Sequence, residues 1–244
     1  MADEVFGAGE LRTTNKPRVG VVTLGSGQSR QFRYSEIEGV GIFEGDIVLV
    51  RNTLETFGVI VRRPDAQWPN RTVVYDLAAG FPNPQRITGA IAHWTAKTPM
   101  KFKKRTNEAD YVLFKEGGGC SSAVGHVGGV QWVTLGPACS TGNAIHEIGH
   151  AVGLWHEQSR ADRDTHVKVV WENIDPFYQH NFDQHITDGQ DVGSYDYGSI
   201  MHYPTNAFAL DPAKPTIVTP HGEPIGQRTG LSAGDIAAVA AIYA

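Results

Sequence analysis

The chain has 244 residues and a formal net charge of −5, is 41% hydrophobic and 19% charged, and carries 10 histidines against 2 cysteines. That balance is ordinary for a globular protein long enough to bury a substantial core as one domain or two small ones. No stretch approaches the roughly 20 apolar residues of a membrane span and the charge is acidic, so neither a membrane nor a nucleic acid is expected as a partner.

Residues 1–30 are polar and rich in Gly, Thr and Ser without sustained periodicity, so no regular structure is expected there. The acidic opening MADEVFGAGE also lacks the basic-then-apolar pattern of a secretory signal, and any such signal is expected to be missing from this chain. From Gly41 the pattern changes. Ile47 to Val50 and Phe57 to Val61 read as short extended pieces, and Arg62-Arg63-Pro64-Asp65 breaks them, so a boundary is expected near residues 55–65. Arg71 to Leu77 then reads as a strand. Asn83-Pro84 offers a cap and a first-turn proline for a helix in which Ile87, Ala90, Ile91 and Trp94 recur at helical spacing. The one basic run, Lys101 to Arg105, is interrupted by Phe102 as an amphipathic strand would be. Tyr111 to Phe114 and Val130 to Leu135 read as strands on either side of the glycine-rich stretch 117–129, which is no phosphate loop because no Lys-Ser/Thr follows the glycines.

Cys120 and Cys139 bracket 18 residues and belong to no CxxC pair. One disulfide, and hence an oxidising compartment, is favoured over two reduced buried thiols. Ser140 or Thr141 can cap a helix running to about Gly153, and Ser232 with Asp235 can open a final helix that packs Ile236, Val239, Ala240 and Ile242.

The segment His146-Glu147-Ile148-Gly149-His150-Ala151-Val152-Gly153-Leu154-Trp155-His156-Glu157 contains HExxHxxGxxH. On a helix His146 and His150 lie one turn apart on one face, so two imidazoles can converge on one zinc at about 2.0–2.1 Å. Gly153 can take a left-handed conformation that ends the helix and brings His156 back as a third ligand. Three neutral nitrogens leave a position open for water, as in a catalytic rather than a structural site. Glu147 is poorly placed to bind the metal and is the natural general base.

With these motifs the chain resembles the astacins, within the metzincin clan. Glu157 after the third histidine matches the astacin form, and Ser199-Ile200-Met201-His202-Tyr203, preceded by Tyr195-Asp196-Tyr197-Gly198, is similar to the astacin Met-turn. The likeness continues through Gln158-Ser159-Arg160-Ala161-Asp162-Arg163-Asp164 and Leu231-Ser232-Ala233-Gly234-Asp235. It implies an α+β zincin fold: a twisted mixed sheet with an active-site helix, and two subdomains flanking a zinc cleft. It also implies that Met201 forms an apolar floor under one zinc per chain, and that Tyr203 is a further ligand able to swing away and stabilise the oxyanion. Phe43-Glu44-Gly45-Asp46-Ile47 is similar to the FxGD motif of astacin prosegments, in which the aspartate occupies the metal site.

The implied organisation is an inhibitory prosegment over residues 1–60 and a catalytic domain over 61–244, divided at about 153/154. The implied function is a secreted zinc endopeptidase held latent by Asp46. It would act on proteins or peptides as a monomer, and would be released by an activating protease or by self-processing. Glu157 is expected to help hold the new N-terminus. Gly128 to Val133 is expected as the cleft's edge strand, where a substrate backbone would add. Only Cys120–Cys139 carries over from the family's disulfides, since Pro99-Met100 stands where a further cysteine would be expected. His126, His180 and His185 lack ligand spacing, whereas His202 is flanked by implicated residues.

Overall fold

The structure is a computed structural model, and it describes residues 16–23, 29–37, 39–49, 66–185 and 190–244. The extended piece expected at Phe57 to Val61 and the boundary at 55–65 lie outside the described residues. Among the described residues, nine strands form one mixed sheet: β1 (Arg18–Thr23), β2 (Ser29–Ile37), β3 (Val40–Phe43), β4 (Ile47–Val48), β5 (Thr72–Leu77), β6 (Lys101–Lys104), β7 (Tyr111–Lys115), β8 (Cys120–Ser122) and β9 (Val130–Leu135), in the order β1-β2-β3-β4-β8-β9-β7-β5-β6. β5 runs parallel to both β6 and β7, and β7 runs parallel to β9. β8 turns antiparallel onto β9.

Two expectations are overturned here. Residues 18–23 and 29–30 are not irregular, because β1 and β2 pair antiparallel from Arg18↔Tyr34 to Thr23↔Ser29. Cross-strand fit supplies what periodicity did not: Gly20 faces Phe32, and a Cβ on Gly20 would stand 2.4 Å from the phenylalanine ring. Nor is Gly128 to Val133 an edge strand, since β9 has β7 on one side and β8 on the other. The short strand β8, hidden within the glycine-rich stretch, borders the cleft, and β4 pairs with it in parallel at Ile47↔Ser122.

Helix α1 (Gln85–Lys97) buries Ile87, Ala90 and Trp94 as its spacing requires, but Asn83 makes no side-chain cap and sits at φ 49° instead. Arg86 on its first turn is buried and donates to the carbonyls of Leu135, Gly136 and Cys139. These bonds tie α1 to the loop leading from β9 into α2 (Thr141–Val152). Trp94 Nε1 adds a bond to Ile145 O at 3.0 Å. The disulfide Cys120–Cys139 joins β8 to that same loop.

The second half is less regular. It holds a two-stranded pairing of β10 (Lys168–Val169) with β11 (Ile217–Val218) and a cluster around Phe182, Tyr203 and Phe208. The last helix, α3 (Ala233–Ile242), begins with the capping box of Ser232 and Asp235, as its sequence predicts. Tyr243 then donates its hydroxyl to Val152 O at 3.1 Å, so the chain's end buttresses the end of α2. Among the described residues no helix is long and apolar enough to cross a membrane.

Candidate active site

α2 opens on the capping box of Ser140 and Asn143 and closes on Gly153 at φ 111°, left-handed as the motif requires. All of its residues from Gly142 to Val152 are buried, so the polar groups it presents are shielded from water. His146 and His150 project from one face, and the turn at Gly153 returns His156 to them. The three ring nitrogens and a carboxylate oxygen of Asp46 all lie within 4.8 Å of one another, and all four residues are buried. Asp46 Oδ2 is 3.3 Å from His146 Nε2, and Oδ1 is 3.6 Å from His150 Nε2 and 3.2 Å from His156 Nε2.

The far side of each ring is already engaged. His146 Nδ1 donates to Ile200 O, His150 Nδ1 to Leu154 O and His156 Nδ1 to Glu44 Oε2, each at 2.8 Å. Such bonds fix the tautomer and aim the remaining nitrogen inward. Burial, followed by the charge of Arg228, pushes His146 down to about 3, and burial lowers His150, so both rings present lone pairs. His156 is pushed up to about 9: burial opposes this, but Asp46 and Glu44 outweigh it. Asp46 Oδ1 and His150 Nε2 are buried and lack a hydrogen-bond partner. Three inward ring nitrogens around a buried carboxylate, with His150 Nε2 and Asp46 Oδ1 lacking a hydrogen-bond partner, fit a divalent cation, and imidazole nitrogens with one carboxylate suit zinc.

Glu147 is 1% exposed, and its Oε2 has no hydrogen-bond partner. Burial, and then the Asp46 carboxylate, hold it well above the usual carboxylate range. Met201 lies beneath the helix: its Sδ would be only 2.6 Å from a Cβ on Gly149, so this position of the motif admits no larger side chain without a shift. The Tyr203 ring packs at a tilt of 55° against His156, 4.7 Å away, and its hydroxyl donates to Glu44 O. Glu157 accepts from Asp196 N at 2.8 Å, lies 3.6 Å from Arg160 Nη1, and is pushed up to about 8 by burial. His202 lies between Tyr195 Oη, at 2.7 Å, and Tyr203 O, to which its Nδ1 donates at 2.8 Å.

The segment carrying Asp46 is locked in by its neighbours. Phe43 packs against Trp155 and His185 at ring distances of 6.3 and 5.8 Å. Gly45 sits at φ 81°, where an added Cβ would meet Phe208 at 2.5 Å, so the tight passage requires glycine. Neither Glu44 nor His185 carries a local sequence signal that marks it as a site residue. They lie 141 positions apart, and Glu44 was read only as part of a motif whose aspartate carries the chemistry.

A mixed sheet backed by two helices, with a three-histidine centre at the end of one of them and a glutamate beside the first histidine, defines a metal-dependent peptidase of the metzincin type. Residues 60–244 match the family model of the astacin peptidases, and the chain belongs to the astacin family of zinc metalloendopeptidases. It is 38% identical to bone morphogenetic protein 1 of Xenopus laevis over 74% of this chain, although it spans only 27% of that protein. To low choriolytic enzyme of Oryzias latipes it is 37% identical, over 87% of this chain and 81% of the relative. The solved structure of high choriolytic enzyme 1, described as a hatching enzyme zinc-protease from Oryzias latipes, superposes with a TM-score of 0.68 at 34% identity. The match covers 72% of this chain and 92% of that one.

Proposed function

We propose that residues 61–244 form a secreted zinc endopeptidase and that residues 1–60 are its inhibitory prosegment, with Asp46 closing the metal site. The observation that carries this reading is the Asp46 carboxylate among the three ring nitrogens, on a segment whose next residue pairs with the cleft strand β8. A carboxylate tethered there competes with water at high effective concentration, and β4 occupies the strand to which a substrate backbone would add. His146, His150 and His156 would hold one zinc, with Asp46 as a further ligand in the latent form. Bound zinc supplies a Lewis acid that polarises a carbonyl and lowers the pKa of water.

The chain's own groups do the rest. Once Asp46 has left, Glu147 accepts a proton from the attacking water and delivers it to the departing amine. The Tyr203 hydroxyl, freed from Glu44 O, is able to donate to the oxyanion or to join the metal ligands. Met201 keeps the floor apolar. Glu157, largely buried with the Arg160 guanidinium at 3.6 Å, would take an incoming N-terminal amine as a second cationic partner after processing. Secretion accords with the disulfide and with the hatching enzymes among the relatives.

The test compares hydrolysis of a fluorogenic peptide by the intact chain, by intact Asp46→Ala and by the chain cut near residues 55–65. Latency predicts little turnover by the first, partial turnover by the second and full turnover by the third. An intact chain as active as the processed one would remove the prosegment from the reading.

A further inference from the structure

Besides Asp46 and Glu147, the site holds a further buried carboxylate that the chemistry above does not use. Glu44 is 0% exposed, and three donors meet it. Ser159 Oγ and His185 Nε2 each lie 2.7 Å from Oε1, and His156 Nδ1 lies 2.8 Å from Oε2. These donors sit on fixed supports. His185 N donates to Ser159 O at 2.7 Å, and the His185 ring packs against both Phe43 and Trp155, 4.5 Å from the latter. Glu44 itself is held at φ 46°, a left-handed conformation unfavourable for a residue with a Cβ, while Tyr203 grips its carbonyl. A buried carboxylate is tolerated when its oxygens are met by donors, and here both are.

The two carboxylates of the segment differ in what holds them. Asp46 faces the Nε2 atoms of His146, His150 and His156, the nitrogens that a bound metal would take up. Glu44 faces groups that donate with or without a metal. We propose that Ser159, His185 and the Nδ1 edge of His156 form a carboxylate-binding pocket beside the metal centre, and that Glu44 fills it as a metal-independent second anchor for residues 39–49. The pocket deepens the latency reading, resting on it for what the anchored segment does, but it is tested without any measurement of hydrolysis.

The experiment uses the full chain carrying Glu147→Ala, so that nothing is cut, with zinc and after chelation. Amide hydrogen exchange is followed by mass spectrometry at Leu49, bonded to Gly41 O, and at Ser122, bonded to Asp46 O. Glu44→Gln and His185→Phe remove the charge and the donor from opposite sides of the contact, and phenylalanine keeps the ring packing. Each should speed exchange at these amides by roughly 10- to 100-fold, the range for hydrogen bonds to a charged group, in both metal states. Asp46→Asn should act mainly when zinc is bound, and His185→Gln, which restores an N–H donor, should recover part of the protection. Wild-type exchange in Glu44→Gln or in His185→Phe, or an effect confined to the zinc-loaded protein, would overturn the pocket. An intact chain that proved fully active would instead remove latency and leave this result standing.

Discussion

Glu147 and Gly142 are neighbours on the sequence scale with opposite burdens, one chemical and one steric. Glu147 makes no bond through Oε2, and the three histidines are each held by other partners. Glu147→Ala should therefore leave the fold and zinc content unchanged while hydrolysis by the processed form falls by at least about 10²-fold. Metal analysis and steady-state kinetics on the same preparation check both halves. Gly142 lies in the first turn of α2, where alanine would ordinarily stabilise a helix by about 1 kcal/mol. Here a Cβ would stand 1.7 Å from the backbone oxygen of Arg228, a clash that only movement of the chain can relieve. Gly142→Ala should reverse the usual sign and cost roughly 3 kcal/mol or more, read as a lowered denaturation midpoint at unchanged m.

On the scale of elements, the catalytic helix is held at both ends by groups far from the metal. At its start, the loop from β9 is fastened to α1 by Arg86 and to β8 by the disulfide. Arg86→Met keeps the aliphatic stem but takes the guanidinium away from three buried carbonyls, of which Gly136 O keeps the Cys139 amide, so a loss of about 3 kcal/mol is expected in thermal or denaturant unfolding. At its end, Trp68 Nε1 donates to Ala151 O at 2.8 Å and Tyr243 to Val152 O, so the turn at Gly153 is buttressed from two remote parts of the chain. The helix itself was legible in the sequence, caps included, because an amphipathic run between Ser140 and Gly153 is a local signal. β8 was not, for three residues inside a glycine-rich stretch carry no period to read, and their pairing depends on strands elsewhere.

At the scale of the whole molecule, the metal centre joins both halves of the chain to the N-terminal strands. His146 and His150 come from the first half, His156 from the turn beyond it, and Asp46 from the strand pair β3–β4. Stripping the metal from the intact chain with a strong chelator should lower its Tm by roughly 8 °C or more, given a ligand far above its Kd and a protein of this size. A Tm unmoved by chelation would mean that no tightly bound ion completes the site. What could be read in advance followed the same division. The zinc motif, the Met-turn and the cysteine pair were legible because their spacing is short and rigid. The register of β1 on β2, the order of the nine strands and the grip of His185 on Glu44 were not, because each joins distant residues through a surface formed only on folding.

If residues 1–60 are the inhibitory prosegment proposed above, the parallel pairing of β4 on β8 gives activation a second stage. Four strands upstream of residue 50 continue the sheet of the enzyme, and the pairings described for them join residues 18–48 to one another and to Ser122. Cutting the chain near residues 55–65 converts an internal segment into a separate chain that still sits in its place. Its departure is then a dissociation, with a rate of its own and a return step that grows with concentration. Freshly cut enzyme should accordingly gain activity after a lag, faster when diluted and slower when crowded with its own released fragment, until something digests that fragment.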